Sequence, residues 1–275
     1  MAIADSNIYW ARPEDSNGTG ALVLAGSSGR LDVGRADVLA ARGVTALAVR
    51  WFGGPGQPVV PREIPLEIFT EAIDLLASEC ERIVLMGLSY GAEAALLTAS
   101  VDDRVDAAVA LAPTDVVWEG QHEHADDPRR SKWTSEGVSV AFVPLDRAWQ
   151  PPAEMPAFVE LYEHSRGLAD REVIDAATIP VEKIRGELVL VAGGDDQVWP
   201  SSRAAKNIVA RRAHSGLATV VIEDPGAGHP IVLPGETPPD MSRSYLVGGD
   251  EDAPQRLGAL AWPAIRHILR LQGDD

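Results

Sequence analysis

Three polar side chains follow three apolar segments in an order that suits nucleophilic catalysis, and the first of them is Ser89. It lies between Gly87 and Gly91 in the segment GLSYG, directly after the apolar run 82–88. A G-x-S-x-G sequence at a strand-to-helix junction predicts a tight turn that projects the serine hydroxyl beyond the carboxyl edge of a sheet. A β-carbon at either glycine would collide with the neighbouring strand or helix. Ser89 is therefore a candidate nucleophile, and a serine that caps a helix is the structural alternative.

A candidate acid and a candidate base follow downstream. A serine hydroxyl needs a base to take its proton, and the base needs an acid to orient it. Asp195 and Asp196 come after the apolar run 187–193, and His229 comes after the run 218–223, which is the order this motif requires. We predict Asp196 as the acid and His229 as the base, with Asp195 as a helper or a cap for the following helix. Ordinary turn aspartates and a loop histidine are the alternatives.

Backbone N–H groups must stabilise the oxyanion that such a reaction creates. Tyr90 begins the helix after the nucleophile, so we expect its N–H to be one donor. The second should come from the small-residue loop 26–30, where we predict the N–H of Ser27, with Ser28 as the alternative. This loop lacks the lysine of a P-loop and the glycine pattern of a dinucleotide site, so we expect no nucleotide cofactor.

A second histidine-containing segment has the composition of a metal site. His122 and His124 form an H-x-H pair, with Glu119, Asp126 and Asp127 nearby. No third ligand occurs at a recognisable spacing, so a solvated acidic loop is the favoured interpretation and we expect no metal.

The apolar pattern predicts the elements that would position these residues. Short apolar runs alternate with amphipathic segments, which is typical of parallel strands joined by crossover helices. We predict strands at 21–25, 45–51, 82–88, 105–112, 187–193 and 218–223. Helices are predicted at 35–43, 64–79, and after the third, fifth and sixth strands. The segment 114–176 breaks this rhythm, and we interpret it as an insertion over the sheet with short helices, for instance at 153–167, and no clear strand.

Composition limits the classes of protein and partner. The chain has 275 residues, 45% of them hydrophobic, which suits one α/β domain over 1–275. A formal net charge of −17 argues against nucleic acid or an anionic membrane as a partner. The single cysteine, Cys80, excludes an internal disulfide. Since no apolar run is long enough to span a membrane and the N-terminus is unlike a secretory signal, we predict a cytoplasmic protein. The preference for arginine over lysine indicates a bacterial source.

Several stretches resemble one known family. LVLAGSSGRL, IVLMGLSYGAEAAL, IPVEKIRGELVLVAGGDDQVWPSS, GAGHPIVLP and the late LVGGD are similar to the C-terminal catalytic domain of acyl-CoA thioester hydrolases and bile acid-CoA:amino acid N-acyltransferases. This family is a branch of the α/β-hydrolases close to dienelactone hydrolase. The resemblance implies an α/β-hydrolase fold, with a mostly parallel sheet flanked by helices and a lid after the strand 105–112. It also implies Ser89 as nucleophile, Asp196 as acid and His229 as base.

The sequence departs from the family pattern in three places. Acyltransferase members resemble this pattern with cysteine as the nucleophile, so serine at position 89 points to hydrolysis. Eukaryotic members carry an additional N-terminal β-sandwich domain, and only about 20 residues precede the first predicted strand here. Ala25 stands where many α/β-hydrolases have a histidine, which makes the donor at Ser27 less certain.

The predicted activity is hydrolysis of an acyl thioester through an acyl-serine intermediate. A carboxylesterase or lactonase, and an acyltransferase or non-catalytic acyl-binding protein, are the alternatives. Coenzyme A would need a basic patch, for which two clusters are candidates, although an ordinary solvated surface is the favoured interpretation of each. An acyl pocket could be lined by aromatic residues of the insertion, although packing of the insertion onto the core is equally natural. The candidate cations are Arg129, Arg130, Lys132, Arg203 and Lys206, and the aromatic residues are Trp118, Trp133, Trp149, Phe158 and Tyr162.

Overall fold

The computed structural model describes residues 3–124, 126–238 and 244–271. Within them, a central seven-stranded sheet has the order β1-β3-β2-β5-β6-β9-β10, and a small sheet has the order β4-β7-β8. The strands of the central sheet are β1 (Ile8–Ala11), β2 (Thr19–Leu24), β3 (Thr45–Val49), β5 (Arg82–Leu88), β6 (Val105–Leu111), β9 (Glu187–Gly193) and β10 (Val220–Asp224). Those of the small sheet are β4 (Ile64–Pro65), β7 (Trp133–Ser135) and β8 (Val138–Ser139).

The central sheet confirms the predicted fold class. All neighbouring strands from β3 to β10 pair in parallel, and only β1 runs antiparallel, against β3. The six predicted strands are all present, and half of their ends differ from the prediction by one or two residues. The sequence did not predict β1, because this four-residue edge strand is only partly buried and carries no extended apolar run.

Helices cover both faces of the sheet, as expected for parallel strands. Residues Leu22 and Leu24 of β2 join the core on one face with α2 and α3, whereas Ala21 and Val23 join the core on the other face with α1 and α7. The helices are α1 (Val33–Ala40), α2 (Glu67–Ala77), α3 (Tyr90–Ala99), α4 (Phe158–Leu168), α5 (Arg171–Ala177), α6 (Ser201–His214) and α7 (Ala253–Leu269). Among the residues that the structure describes, no helix combines the length and the apolarity needed to cross a bilayer.

The segment between β6 and β9 differs in part from its prediction. It contains α4 near the predicted helix 153–167, but it also contains strands, so the expectation of no strand there was wrong. Strands β7 and β8 are three and two residues long, too short for an alternating pattern to show in the sequence. Strand β4, which pairs with β7, occupies the first two residues of the predicted helix 64–79, so α2 begins only at Glu67.

The parallel strands position the candidate residues at one edge of the sheet. Because β2, β5, β9 and β10 run in the same direction, the loops that follow them all leave from their carboxyl ends. These loops carry Ser27, Ser89, Asp196 and His229, respectively. A crevice at this edge is the usual ligand site of an open α/β sheet.

Candidate active site

Ser89 occupies a strained turn between β5 and α3. Its backbone has φ 58° and ψ −120°, a conformation that residues with a side chain rarely adopt. The turn is held by the Ser89 N–H, which donates to the Leu111 carbonyl at 2.9 Å. Although Ser89 stands at the N-cap of α3, its hydroxyl makes no capping hydrogen bond. The capping alternative therefore does not explain this serine, and the hydroxyl is left available for a ligand.

The two glycines of the motif are required by close approach, as predicted. A β-carbon at Gly87 would lie 2.0 Å from the Gly91 carbonyl oxygen, and one at Gly91 would lie 2.2 Å from the Leu24 carbonyl oxygen. A third glycine, Gly26, faces the serine itself, since a β-carbon there would lie 3.1 Å from Ser89 Cβ. The loop after β2 therefore lies directly against the candidate nucleophile.

Asp196 and His229 form a buried hydrogen-bonded pair. The two carboxylate oxygens lie 2.9 and 3.0 Å from His229 Nδ1, and the Asp196 side chain is 2% exposed. Asp196 also accepts hydrogen bonds from the Val198 and Trp199 N–H groups and, at 2.6 Å, from the Ser201 hydroxyl. An ionised carboxylate only accepts, so Nδ1 carries the proton and Nε2 is free to act as a base. Asp196 is both the turn aspartate of the alternative interpretation and the partner of the histidine.

Ser89 and His229 lie in the same region of the structure. Both residues are described, and no hydrogen bond joins their side chains. The His229 ring lies 6.0 Å from the Trp199 ring, which lies 5.7 Å from the ring of Tyr90, next to Ser89. Leu88, on the other side of Ser89, lines one cavity together with His229. Catalytic hydrogen bonds are commonly long without substrate, so this arrangement is compatible with a relay that closes on binding.

A segment near the C-terminus ties the acid and base loops together. The Gly249 N–H donates to Asp195 Oδ2 at 2.8 Å, and the His229 N–H donates to the Val247 carbonyl at 2.8 Å. A β-carbon at Gly248, whose φ is 76°, would lie 1.7 Å from the Asp195 carbonyl oxygen. We call residues 246–249 the glycine strap. The expected cap role of Asp195 was wrong, because its carboxylate binds this strap. The adjacent glycines of LVGGD were the available sequence signal.

Two backbone amides are free at the expected oxyanion positions. Neither the Ser27 nor the Tyr90 N–H donates a hydrogen bond to any residue that the structure describes. Tyr90 is the first residue of α3, where an N–H has no partner within the helix. Ser27 is exposed and follows Gly26, which lies against Ser89. Both amides remain candidates to receive an oxyanion.

A fully buried ion pair lies beneath the nucleophile turn. Lys132 Nζ lies 2.7 Å from Glu93 Oε2, both side chains are 0% exposed, and the Trp133 indole N–H donates to Glu93 Oε1 at 2.6 Å. The ammonium group also lies 3.6 Å from the centroid of the Tyr90 ring. Burial raises the pKa of the Glu93 carboxyl, and the hydrogen bonds from Lys132 and Trp133 oppose that rise. We call Glu93, Lys132, Trp133 and the Tyr90 ring the buried ion-pair layer.

The position of Lys132 in the buried ion-pair layer excludes it as a candidate cation for coenzyme A. Lys132 is sealed in the core and cannot contribute to a patch for coenzyme A. Arg129 makes an ion pair with the buried Glu119, and Arg130 lies 3.8 Å from Glu63. In the second cluster, Arg203 pairs with Glu163 and Lys206 lies 3.4 Å from Glu223. Four of the five candidate cations thus have an acidic partner, and the fifth is inaccessible.

The aromatic residues of the insertion mainly fill the core. Trp118, Trp133 and Tyr162 are 1%, 0% and 6% exposed, so packing of the insertion is the correct interpretation for these three. The Tyr162 hydroxyl lies 3.1 Å from the Tyr90 hydroxyl, and burial raises the Tyr162 pKa well above its usual value. Phe158 instead contacts Trp149 and Tyr245, with ring centroids 6.2 and 5.6 Å away.

A cavity of about 290 Å³ lies beside His229. Its walls come from the loop 30–32, the start of α1, and the segments that precede and follow residues 239–243. This lining is more polar than an aromatic acyl pocket, which the sequence left open as an alternative to packing of the insertion. Elsewhere, no group of three metal-ligating side chains occurs within the described ranges, including the described residues around His122 and His124.

Comparison with known proteins finds relatives of this chain. The family model described as BAAT / Acyl-CoA thioester hydrolase C terminal matches residues 64–247. Acyl-coenzyme A thioesterase 6 of Homo sapiens is 27% identical over 274 residues, covering 92% of this chain and 60% of that protein. Acyl-coenzyme A amino acid N-acyltransferase 2 of Mus musculus is 25% identical over 264 residues, covering 91% and 59%. The chain spans about three fifths of the length of these curated relatives.

Solved structures show the same fold at low identity. A putative dienelactone hydrolase from Klebsiella pneumoniae has a TM-score of 0.54 at 13% identity, over 96% of this chain and 92% of that one. The ferulic acid-bound Est1E from Butyrivibrio proteoclasticus has a TM-score of 0.51 at 15% identity, over 81% and 86%. At these identities the similarity concerns the fold alone.

Proposed function

Since the chain belongs to the BAAT / acyl-CoA thioester hydrolase C-terminal family, we propose that it is a serine hydrolase that cleaves an acyl thioester through an acyl-Ser89 intermediate. The observation that carries the proposal is the Asp196–His229 pair, with Nδ1 2.9 Å from the buried carboxylate, at the sheet edge where the strained turn presents Ser89. The proposed substrate is an acyl group on coenzyme A or on a carrier.

In the proposed acylation step, the side chains of Ser89, His229 and Asp196 and two backbone N–H groups each have a role. His229 Nε2 takes the Ser89 proton as Oγ attacks the acyl carbon, and Asp196 stabilises the imidazolium that forms. The Ser27 and Tyr90 N–H groups, which have no partner among the described residues, receive the oxyanion. The tetrahedral intermediate collapses, the thiolate leaves and takes the proton from His229, and the acyl group remains on Ser89 as an ester.

Deacylation would repeat these steps with water. His229 removes a proton from water, whose oxygen attacks the ester carbon, and then returns a proton to Ser89 Oγ as the acid leaves. Serine at position 89 favours water as the acceptor. We also propose that residues 1–275 form one hydrolase domain, in which 114–176 is a cap over the sheet.

A carboxylesterase is the second candidate function, and one observation favours it. The cations proposed for coenzyme A are either buried or paired with acids, so the phosphates have no ready-made patch among them. A small neutral ester would not need one.

The two candidates are separated by comparing kcat/KM for an acyl-CoA with that for the p-nitrophenyl ester of the same acid. A thioesterase should prefer the acyl-CoA at equal acyl group, and an esterase should prefer the activated ester. In both cases S89A should abolish turnover. Product formation that depends on an added amine would favour acyl transfer, and full activity of S89A would refute a serine mechanism.

A further inference from the structure

One arginine at the cavity beside His229 has no partner among the residues that the structure describes. Arg30 lines the 290 Å³ cavity beside His229, and its side chain is exposed. It makes no hydrogen bond or ion pair with any residue in the described part of the chain. The chain has 41 acidic residues and only 24 lysines and arginines, so acidic partners are abundant. An unpaired arginine is therefore informative here, because its charge is available to a ligand.

The other charged side chains of the cavity wall are paired with one another. Arg35 is 4% exposed, donates to Glu236 through Nε at 2.6 Å and Nη2 at 3.1 Å, and lies 3.4 Å from Asp32. Arg35 thus contacts both acids of the wall. Arg30 remains the one arginine of this wall that makes no ion pair with a described residue.

The backbone that carries Arg30 is constrained. The preceding residue, Gly29, has φ 61°, and a β-carbon there would lie 3.1 Å from the Phe52 ring. The same loop begins at Gly26, which contacts Ser89. The backbone at Arg30 is therefore held in place, in the loop that also carries the proposed oxyanion donor Ser27. A preorganised backbone lowers the entropic cost of binding.

We propose that Arg30 forms an anion subsite that selects substrates carrying a carboxylate or a phosphate group. This inference rests on the proposed function, because it takes Ser89 as the reacting atom. A guanidinium binds either group through paired, charge-assisted hydrogen bonds. The anion is either a carboxylate on the acyl chain or a phosphate on the leaving group. A cavity of 290 Å³ holds a short acyl chain, but not coenzyme A as a whole.

Four substrates distinguish the two sources. Butyryl and succinyl groups are each prepared as the coenzyme A thioester and as the N-acetylcysteamine thioester, which has no phosphate. Free-thiol release gives kcat/KM for the wild type, R30Q and R30K. The matched control is R185Q, because Arg185 is an exposed arginine just before β9, at the opposite edge of the sheet.

The expected result is selective. R30Q should lower kcat/KM about 10-fold to 100-fold for substrates that carry the recognised anion, chiefly through KM. R30K should retain part of the kcat/KM that R30Q loses. Both variants should hydrolyse butyryl-N-acetylcysteamine with the kcat/KM of the wild type. A loss that follows the succinyl group assigns the subsite to the acyl carboxylate, and a loss that follows coenzyme A assigns it to phosphate. R185Q should change none of the four values.

Two results would overturn the subsite. Equal losses in R30Q for all four substrates would mean that the loop was damaged, and no loss for any would mean that Arg30 binds no substrate anion. Failure of the proposed function looks different, since the wild type would then release no thiol that depends on Ser89. In that case titration calorimetry of free coenzyme A and succinate with the wild type and R30Q still tests the subsite: weaker binding of one anion by R30Q supports it, and equal or undetectable binding contradicts it.

Discussion

Two buried carboxylate pairs lie close to Ser89, and they differ in what surrounds the cationic or basic partner. In the buried ion-pair layer, Glu93 binds Lys132 at 2.7 Å and both side chains are 0% exposed. At the sheet edge, Asp196 binds His229 at 2.9 Å, but the histidine side chain is 12% exposed and lines a cavity. Lys132 is covered by the Tyr90 ring, whereas His229 keeps one nitrogen free.

The comparison shows that pairing alone does not make a site reactive. A buried charge whose hydrogen bonds are all completed by the chain stabilises or specifies the fold. A pair in which one polar atom faces a cavity can bind a substrate and transfer a proton. We therefore expect changes to the polar groups of the Asp196–His229 pair to lower activity at nearly constant stability, and changes in the buried ion-pair layer to lower stability at constant activity per folded molecule.

The largest expected effect is that of D196N. An amide in place of the carboxylate would favour the wrong histidine tautomer, so kcat should fall by about 10⁴-fold. The melting temperature should stay close to that of the wild type. Steady-state kinetics and thermal unfolding measure both quantities. D195N is the matched control and should cost less than tenfold, and equal losses in the two variants would contradict the assignment of Asp196.

K132M tests the buried layer. Removing one partner of a fully buried pair should lower the free energy of unfolding by about 3 to 5 kcal/mol, because Glu93 is left uncompensated. The double variant E93L/K132M should recover much of this loss, since both charges are removed. Urea unfolding gives the free energies, and active-site titration gives kcat per folded molecule. If K132M kept its stability but lost kcat, the distinction between the two regions would be broken.

G248A tests how far the sheet edge depends on the glycine strap. Alanine would have to adopt φ 76° and would overlap the Asp195 carbonyl, so we expect a loss of about 1 to 3 kcal/mol in stability. The kcat per folded molecule should fall as well, because the strap holds both the acid and base loops. G137A is the control, since Gly137 also has positive φ but no neighbour within 4 Å of a β-carbon. Equal losses of kcat in the two variants would indicate a general effect of positive φ.

Y162F should have the smallest effect. It removes one buried hydrogen bond to the Tyr90 hydroxyl and keeps the ring, so the free energy of unfolding should fall by about 0.5 to 1.5 kcal/mol. The pH–rate profile should be unchanged, because Tyr162 has a raised pKa and takes no part in the proposed proton transfers. A shifted profile would place the Tyr162 hydroxyl in the chemistry.

Much of the fold could be predicted because its strands are buried on both faces. Runs such as 82–88 and 187–193 carry no polar side chain after their first residue, and their observed bounds are those predicted. The short strands β7 and β8 could not be recognised, since two or three residues have no measurable period. The position of Lys132 was also unpredictable, because a lysine beside two arginines resembles a surface patch until its partner Glu93, 39 residues away, is known.

The candidate site was predictable where motif and topology agree. Ser89, Asp196 and His229 each follow a parallel strand, which predicts that all three lie at one edge of the sheet. The Asp196–His229 contact agrees with this prediction. The glycine strap and the charge of the cavity wall depend on contacts between distant segments, which spacing does not reveal. The catalytic roles, the cytoplasmic location and the bacterial source stay predictions.

The most direct test of the central claim is covalent labelling of Ser89. The wild type is treated with a fluorophosphonate probe, digested and analysed by mass spectrometry of the peptide that contains residue 89. The account predicts one added phosphonyl group, on Ser89, with loss of thioesterase activity in proportion to labelling and much slower labelling in D196N. Hydrolysis that persists in fully labelled protein, or an active enzyme labelled at another residue instead, would contradict it.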